Sequence, residues 1–485
     1  MQVYFTDYFK ISPEFLEDHG ALNISLINDL PVFVDPFLLF NSEKQEYKDL
    51  HDAIIDYLSF LRERSSSQRL GKGLIEGLFL FPEVKQNWLG YSKVGNRGSG
   101  LGKDFANSLN QNLTTILNNF GEEEVTTGSH LEKVCLVANG VGTDKISDFT
   151  TNLIKGFLCR YTEKFSKKHL DDTKAKIVSV SHVDFNYKTQ TWMSGSFYLP
   201  FIDGDYILLT PKDILSKDEA WINKADIVRD FDDIASSIPN HVLRDQINDY
   251  FTRSLPDWPT QKERNEVAAR TALHFPEFID YYIRFKEDNG DKAERLSDQK
   301  IKEIEELFIK QAKSLIDVIA SSSKLYDVGI DTFDETYKRV LYLKHVIENN
   351  DGYRIFYVKG QAVKRESDLQ LLFRLVWFAS PSDVNSEVNN GRGPVDYKIS
   401  RGGKDKTLVE FKLASNSQLK RNLEKQVEIY EEANQTSKSI KVILYFSESE
   451  YVKVHGILKS LDMKQGKNLV LIDACQSNKP SASKA

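Results

Sequence analysis

The sequence predicts a mixed α/β protein built from more than one domain, and three observations carry that expectation. At 485 residues, 40% hydrophobic and 28% charged, the chain is too long for one ordinary core and too apolar to remain disordered. Short β-like runs alternate with amphipathic stretches through the first half and again through the last quarter. The 26 Gly and 13 Pro follow no period, which excludes fibrous and low-complexity classes.

Residues 1–258 read as a mixed α/β domain serving recognition, regulation or oligomerisation. Residues 32–34, 133–137, 176–180 and 206–210 are strand candidates, and residues 148–165 an amphipathic helix. The turn at residues 140–148 offers Ser147 or Asp148 as an N-cap. The glycine-rich residues 95–104 miss phosphate-loop spacing, because Lys103 is followed by Asp104 where Ser or Thr is required. They read as a flexible loop whose Arg97 and Lys103 could touch a polyanion. His182-Val-Asp184 is too little for a metal site, and the nine histidines never fall as HxxxH or HExxH. Cys135, Cys159 and Cys475 lie far apart without a CxxC pair, so they read as buried small hydrophobes.

Residues 255–260, with two prolines, look like a break between units. Residues 259–350 form a helical connector, with a stripe through Ile301, Ile304, Leu307 and Phe308 that is too short for a coiled coil. From residue 351 the elements tighten: helix 366–378, strand 384–388, a hairpin of strands 393–400 and 407–413, helix 418–433, an apolar strand 440–446, helix 448–461 and strand 468–472. Residues 476–485 read as a frayed tail. No stretch approaches the roughly 18 consecutive apolar residues of a membrane span, and the first residues lack a leader pattern, so the expectation is a cytoplasmic protein with no membrane partner. The net charge is −7, yet residues 353–441 hold sixteen Lys and Arg against eleven Asp and Glu, which is a reason to look for a polyanion partner there.

The chemistry concentrates in that basic region. Residues i and i+2 of a strand share a face, so Glu410 and Lys412 project together while Phe411 turns to the core. Hairpin pairing brings Asp396 beside them. Two converging carboxylates make a hard-oxygen site suited to Mg²⁺, with Mn²⁺ as a substitute. An adjacent lysine is no ligand, but it can orient or help deprotonate an attacking water and offset charge on a phosphate. The plain alternative is a surface hairpin with Lys412 as a salt-bridge partner.

Pro394-Val-Asp396 followed by Glu410-Phe-Lys412 resembles the PD-(D/E)xK nuclease superfamily, the restriction-endonuclease-like fold, over residues 351–475. The element order is similar to that family's αβββαβ core. Glu366 matches an extra acidic residue that many members place beside the metal, although it also suits a helix N-terminus and Asp368 competes for the role. Gln426 and Tyr430, spaced i and i+4, resemble the Q-xxx-Y signature of the RecB-type branch. Gln370, one turn after Glu366, faces either the same cleft or solvent, and stays unassigned. The resemblance implies a Mg²⁺-dependent nuclease cutting DNA, an endonuclease of bacterial anti-phage defence. Asp396, Glu410, the Phe411 carbonyl and Glu366 would hold metal, Lys412 would position water, and Gln426 and Tyr430 would support the site. Arg392, Lys398, Arg401, Lys404, Lys420 and Arg421 are the expected phosphate contacts. An RNA or tRNA nuclease of the same fold, and a non-catalytic nucleic-acid-binding or scaffold protein, are the alternatives, and homo-oligomerisation stays open.

Overall fold

The computed structural model describes residues 3–479 except 27–28, 68–70, 91–100, 102–105, 107–108, 111–112, 114–119, 122, 138–142, 203, 218, 257, 312, 314–330, 350–351, 359–360, 363–365, 367–369, 371–372, 374–376, 378–382, 390–393, 402–404 and 425–437. The fold is mixed α/β with several sheets.

The N-terminal part runs α1 (Phe5–Phe9), α2 (Pro13–His19), β1 (Phe33–Val34), α3 (Pro36–Asn41), α4 (Gln45–Ser67), α5 (Lys72–Phe79), α6 (Lys133–Val137), α7 (Thr143–Leu153), α8 (Lys155–His169), β2 (Ala175–Asn186), β3 (Thr191–Ile202), β4 (Asp205–Tyr206) and β5 (Leu215–Ser216). β1 pairs antiparallel with β5, and β2, β3 and β4 form an antiparallel meander. Helices α2 and α3 start where the sequence can cap them: Ser12 and Asp35 accept the Glu14 and Phe37 N–H groups, and a proline follows each cap. His182 occupies a bulge between Val180 and Asp184 with φ +57°, so His182-Val-Asp184 belongs to a bent strand.

Three local expectations are corrected here. Residues 133–137 form helix α6, not a strand. A five-residue apolar run carries no periodicity to choose between the two, and the buried Lys133 ammonium ties it to Glu123 at 3.3 Å and Asp280 at 2.6 Å. Of residues 206–210 only Tyr206 is in a strand. The remainder threads the core, where Leu208 N–H bonds the Gln86 carbonyl and Leu209 N–H the Thr162 hydroxyl, so its backbone is satisfied without a ladder. Ser147 and Asp148 lie inside α7, and Ser147 Oγ accepts the Val34 N–H at 2.9 Å instead of capping.

A helical cluster follows: α9 (Lys224–Arg229), α10 (Phe231–Ser237), α11 (His241–Ser254), α12 (Gln261–His274), α13 (Pro276–Glu287) and α14 (Gly290–Ile304), the last running into a π-helical turn, Glu305–Gln311. Phe231, Ile247, Phe251, Val267, Phe278 and Tyr282 share one buried cluster, so residues 255–260 are a turn between two helices that pack together. Thr260 and Glu263 close a capping box at the start of α12. Then comes α15 (Thr332–Asn349). The stretch expected as a helical connector is helical wherever it is described.

The C-terminal part holds the hairpin β6 (Tyr357–Val358) and β7 (Gln361–Ala362), helical positions at Glu366, Gln370 and Phe373, then β8 (Asp383–Asn389), β9 (Pro394–Arg401), β10 (Asp405–Leu413), β11 (Ser439–Tyr445), α16 (Glu448–Ser460) and β12 (Leu469–Asp473). The sheet order is β12-β11-β10-β9-β8, antiparallel through β8, β9 and β10 and parallel through β10, β11 and β12. Both faces are covered, as a sheet with parallel strands requires. On one, Tyr397, Ile399, Val409, Phe411 and Leu413 belong to the same core as Val340, Leu343 and Ile347 of α15. On the other, Ile443, Leu469 and Leu471 pack with Leu419, Leu423, Val454 and Leu458. Cys159 and Cys475 are buried free thiols. Among the described residues no helix is long and apolar enough to cross a membrane.

Candidate functional site

The site forms where β9 leaves β10. Their ladder ends at Val409 opposite Tyr397, and one step further along that register Asp396 comes across from Glu410. Beyond the last rung β10 would present unpaired N–H groups on its β9 side, and two carboxylates take them. Asp396 Oδ2 accepts the Phe411 N–H at 2.6 Å, and Glu366 Oε1 accepts the Leu413 N–H at 3.4 Å. Backbone donors thereby fix both acids, the stronger of the ordinary ways to orient a carboxylate.

Lys412 projects from the opposite side of the same strand turn, 3.2 Å from Glu410 Oε1 and 3.4 Å from Glu366 Oε2. Glu366 also accepts from Asn416 Nδ2 at 2.8 Å, and Asn416 in turn takes the Gln418 N–H. Glu366 is thus committed to Lys412, Leu413 and Asn416, and among the described residues no three His, Cys, Asp or Glu side chains gather as a metal-ligating cluster. The sequence-derived set is brought together as a carboxylate pair, Asp396 and Glu410, and a lysine held by a third acid.

Burial decides the electrostatics. Glu410 is 9% exposed and Lys412 8%. Burial pushes the Glu410 carboxyl above the usual range, with Lys412 pulling it down, Asp396 pushing it further up and Lys441 pulling down. For Lys412 burial works against the charge, but Asp396, Glu410 and Glu366 outweigh it and hold the ammonium above the ordinary lysine range. Lys412 is therefore a charged donor and no base in this arrangement. The donor chemistry fits a hard divalent cation: two adjacent carboxylates, one destabilised as an anion by burial, are relieved by a +2 charge, and Mg²⁺ asks for only one or two protein carboxylates.

Lys441 is a member of the site that spacing did not reveal. It lies beside Glu410 in the parallel register of β10 and β11, is 9% exposed, and donates to the Leu423 carbonyl at 3.3 Å. Its signal is a lysine inside the otherwise apolar run of residues 440–446, where burial on both faces tolerates a charge only with partners.

The expected phosphate contacts divide. Arg401 is corrected: its Nη2 meets Glu335 Oε2 at 2.6 Å, a buried acid on α15 that also holds Arg339, so Arg401 pins β9 to the helix beneath. Lys420 and Arg421 are exposed on the helical stretch after β10, and Lys398 is half-buried on β9. Arg392, Lys404, Gln426 and Tyr430 lie outside the described residues, as does most of the glycine-rich stretch 95–104.

Residues 10–223 match a family model described as a domain of unknown function, DUF8370, and residues 332–448 match a second, DUF8371, also a domain of unknown function. No curated protein and no solved structure matches the chain. The first match ends one residue before α9, and the second opens on the first residue of α15 and spans Glu366, Asp396, Glu410 and Lys412. The helices between them fall outside both.

Proposed function

We propose that the chain is a divalent-cation-dependent nuclease that hydrolyses DNA phosphodiesters at the Asp396–Glu410–Lys412 site. The observation that carries the reading is the placement of Asp396 and Glu410 across from one another at the end of the β9–β10 ladder, with Lys412 charged and buried on the same strand. Mg²⁺ would be held by Asp396 and Glu410 with the Phe411 carbonyl between them, and would supply Lewis-acid polarisation of the phosphate. The protein's own groups do the rest. The Phe411 N–H keeps Asp396 turned toward Glu410. Lys412, kept protonated by its acidic neighbours, donates toward a non-bridging phosphate oxygen and stabilises the charge that builds on it. Glu366 holds that ammonium at the height of Glu410, and Asn416 holds Glu366. Lys420 and Arg421 lie on the exposed helix edge after β10, where they would meet the backbone of a long polyanion.

The test is cleavage of plasmid, linear and single-stranded DNA, beside matched RNA, by full-length protein in Mg²⁺, in Mn²⁺ and in EDTA. Metal-dependent cutting that falls by roughly 10²-fold or more in Glu410→Gln and in Lys412→Met is the expected result. Because Glu410→Gln removes a buried carboxylate that resists ionisation, that variant melts no lower than wild type in EDTA, which separates lost chemistry from lost folding. Cutting of RNA alone would move the substrate class, and activity unchanged in both variants would remove the site.

A further inference from the structure

We propose that Gln370 presents its side-chain oxygen to the hydrated divalent cation at the Asp396–Glu410 pair, as a positioning residue that the sequence motif does not contain. The inference rests on the cation-dependent reading of that site and deepens it. Gln370 stands one helical turn after Glu366, so the two share a face. That face is located by its other members. Glu366 reaches Lys412 and the Leu413 N–H, and Phe373 packs on Tyr397 and Phe411 with ring centroids 5.4 and 4.5 Å away. Gln370 lies between these contacts, and its backbone carbonyl accepts the Tyr397 hydroxyl at 2.6 Å. It is thereby set over the point where β9 parts from β10, one residue along the strand from Asp396.

In that position Gln370 is 4% exposed, and its Oε1 has no hydrogen-bond donor. Native interiors rarely keep a buried acceptor unpaired, and where one persists the place to look is a bound ion, water or ligand. An amide oxygen is a neutral hard donor that can meet a cation or accept from the water the cation carries. Neutrality suits the location, since another carboxylate there would add like charge to a buried acidic pair.

The experiment titrates Mn²⁺ into full-length wild type, Gln370→Leu and Gln370→Glu by calorimetry, and melts each in EDTA and in Mg²⁺. Leucine keeps the bulk and removes the orphaned oxygen, so that variant is expected to melt at or above wild type in EDTA. It is expected to bind Mn²⁺ roughly 10- to 100-fold more weakly, the scale of losing a supporting contact to a bound ion. Its Mg²⁺-induced rise in melting temperature shrinks accordingly, and Gln370→Glu restores binding. A leucine variant that binds Mn²⁺ like wild type overturns the inference. So does one that melts several degrees lower in EDTA, because the oxygen then has a structural partner. Wild-type protein that binds no divalent cation would bring down the carboxylate-site reading itself, a result visible without any variant.

Discussion

Lys412 shows how far residue spacing alone reaches. The i, i+2 rule put it on a face with Glu410, and the hairpin brought Asp396 to them, as the register bears out. Spacing could not name Asn416, which orients Glu366, or explain Arg401, whose carboxylate partner lies 66 residues earlier on another element. Such partners are chosen by the fold, not by neighbours in the chain. The same holds for His51, a histidine with no motif around it. It is 3% exposed against Phe40, with ring centroids 5.1 Å apart, and its Nε2 meets no donor or acceptor. Burial, with the nearby His130, lowers it to about 3, while Glu287 pulls the other way. Between that value and the ordinary 6.5 the unfolded chain binds a proton that the folded one refuses, so stability falls as pH drops through the window. The loss is about 1.4 kcal/mol for each pH unit below 6.5. Asp35, which burial raises to about 6, acts in the opposite sense, with its stability contribution declining as pH rises toward 6. Urea midpoints of wild type and His51→Gln, compared from pH 7 to pH 4, cancel the Asp35 contribution. Wild type should lose ground to the variant at every step down. Parallel curves would mean that His51 titrates alike in both states.

At the scale of elements, the strands of the C-terminal sheet were readable because each is bounded by turn residues and carries either alternation or an unbroken apolar run. Residues 133–137 and 206–210 were not, because a short apolar run fits any buried conformation and only its surroundings choose. Helix α15 is the element on which the site depends, although none of the proposed catalytic groups belongs to it. Its Glu335, 2% exposed, holds Arg339 at 3.1 Å within the helix and Arg401 at 2.6 Å on β9. Arg339 also lies 4.7 Å over the ring of Trp377. Removing one acid that serves two arginines, one of them fully buried, costs on the order of 3 kcal/mol or more. Glu335→Ala is therefore expected to lower the denaturant midpoint substantially. It should also loosen the β9 end that carries Asp396, so that divalent-cation binding and stability fall together. A variant that melts as wild type does would show the arginines to be solvated surface charges.

For the whole molecule, the division into domains was the least visible feature, since a proline pair marks a turn as readily as a boundary, and residues 255–260 turn inside one helical cluster. What joins the ends of the chain is buried and distant in sequence. One core runs from Val3 and Leu22 through Leu307 and Phe308 of the π-helical turn to Tyr353, Phe356 and the sheet residues Val442 and Ile472. The turn is stitched on both sides: Tyr4 donates its hydroxyl to the Phe308 carbonyl, Lys313 meets Asp7 at 2.5 Å, and Gln311 donates to the Tyr357 carbonyl at 3.3 Å. A fragment of residues 332–485 would keep every proposed catalytic group but expose the apolar side chains that this core covers. Each large one stripped of its cover costs about 2 kcal/mol, against a total stability for a domain of only about 5–15 kcal/mol. The fragment is expected to aggregate or to melt without a sharp transition, and to bind Mn²⁺ weakly, whereas the full chain melts cooperatively. A monomeric fragment with a sharp transition and wild-type Mn²⁺ affinity would show that the two matched regions fold independently. The buried contacts between them would then hold the parts together without supporting the site.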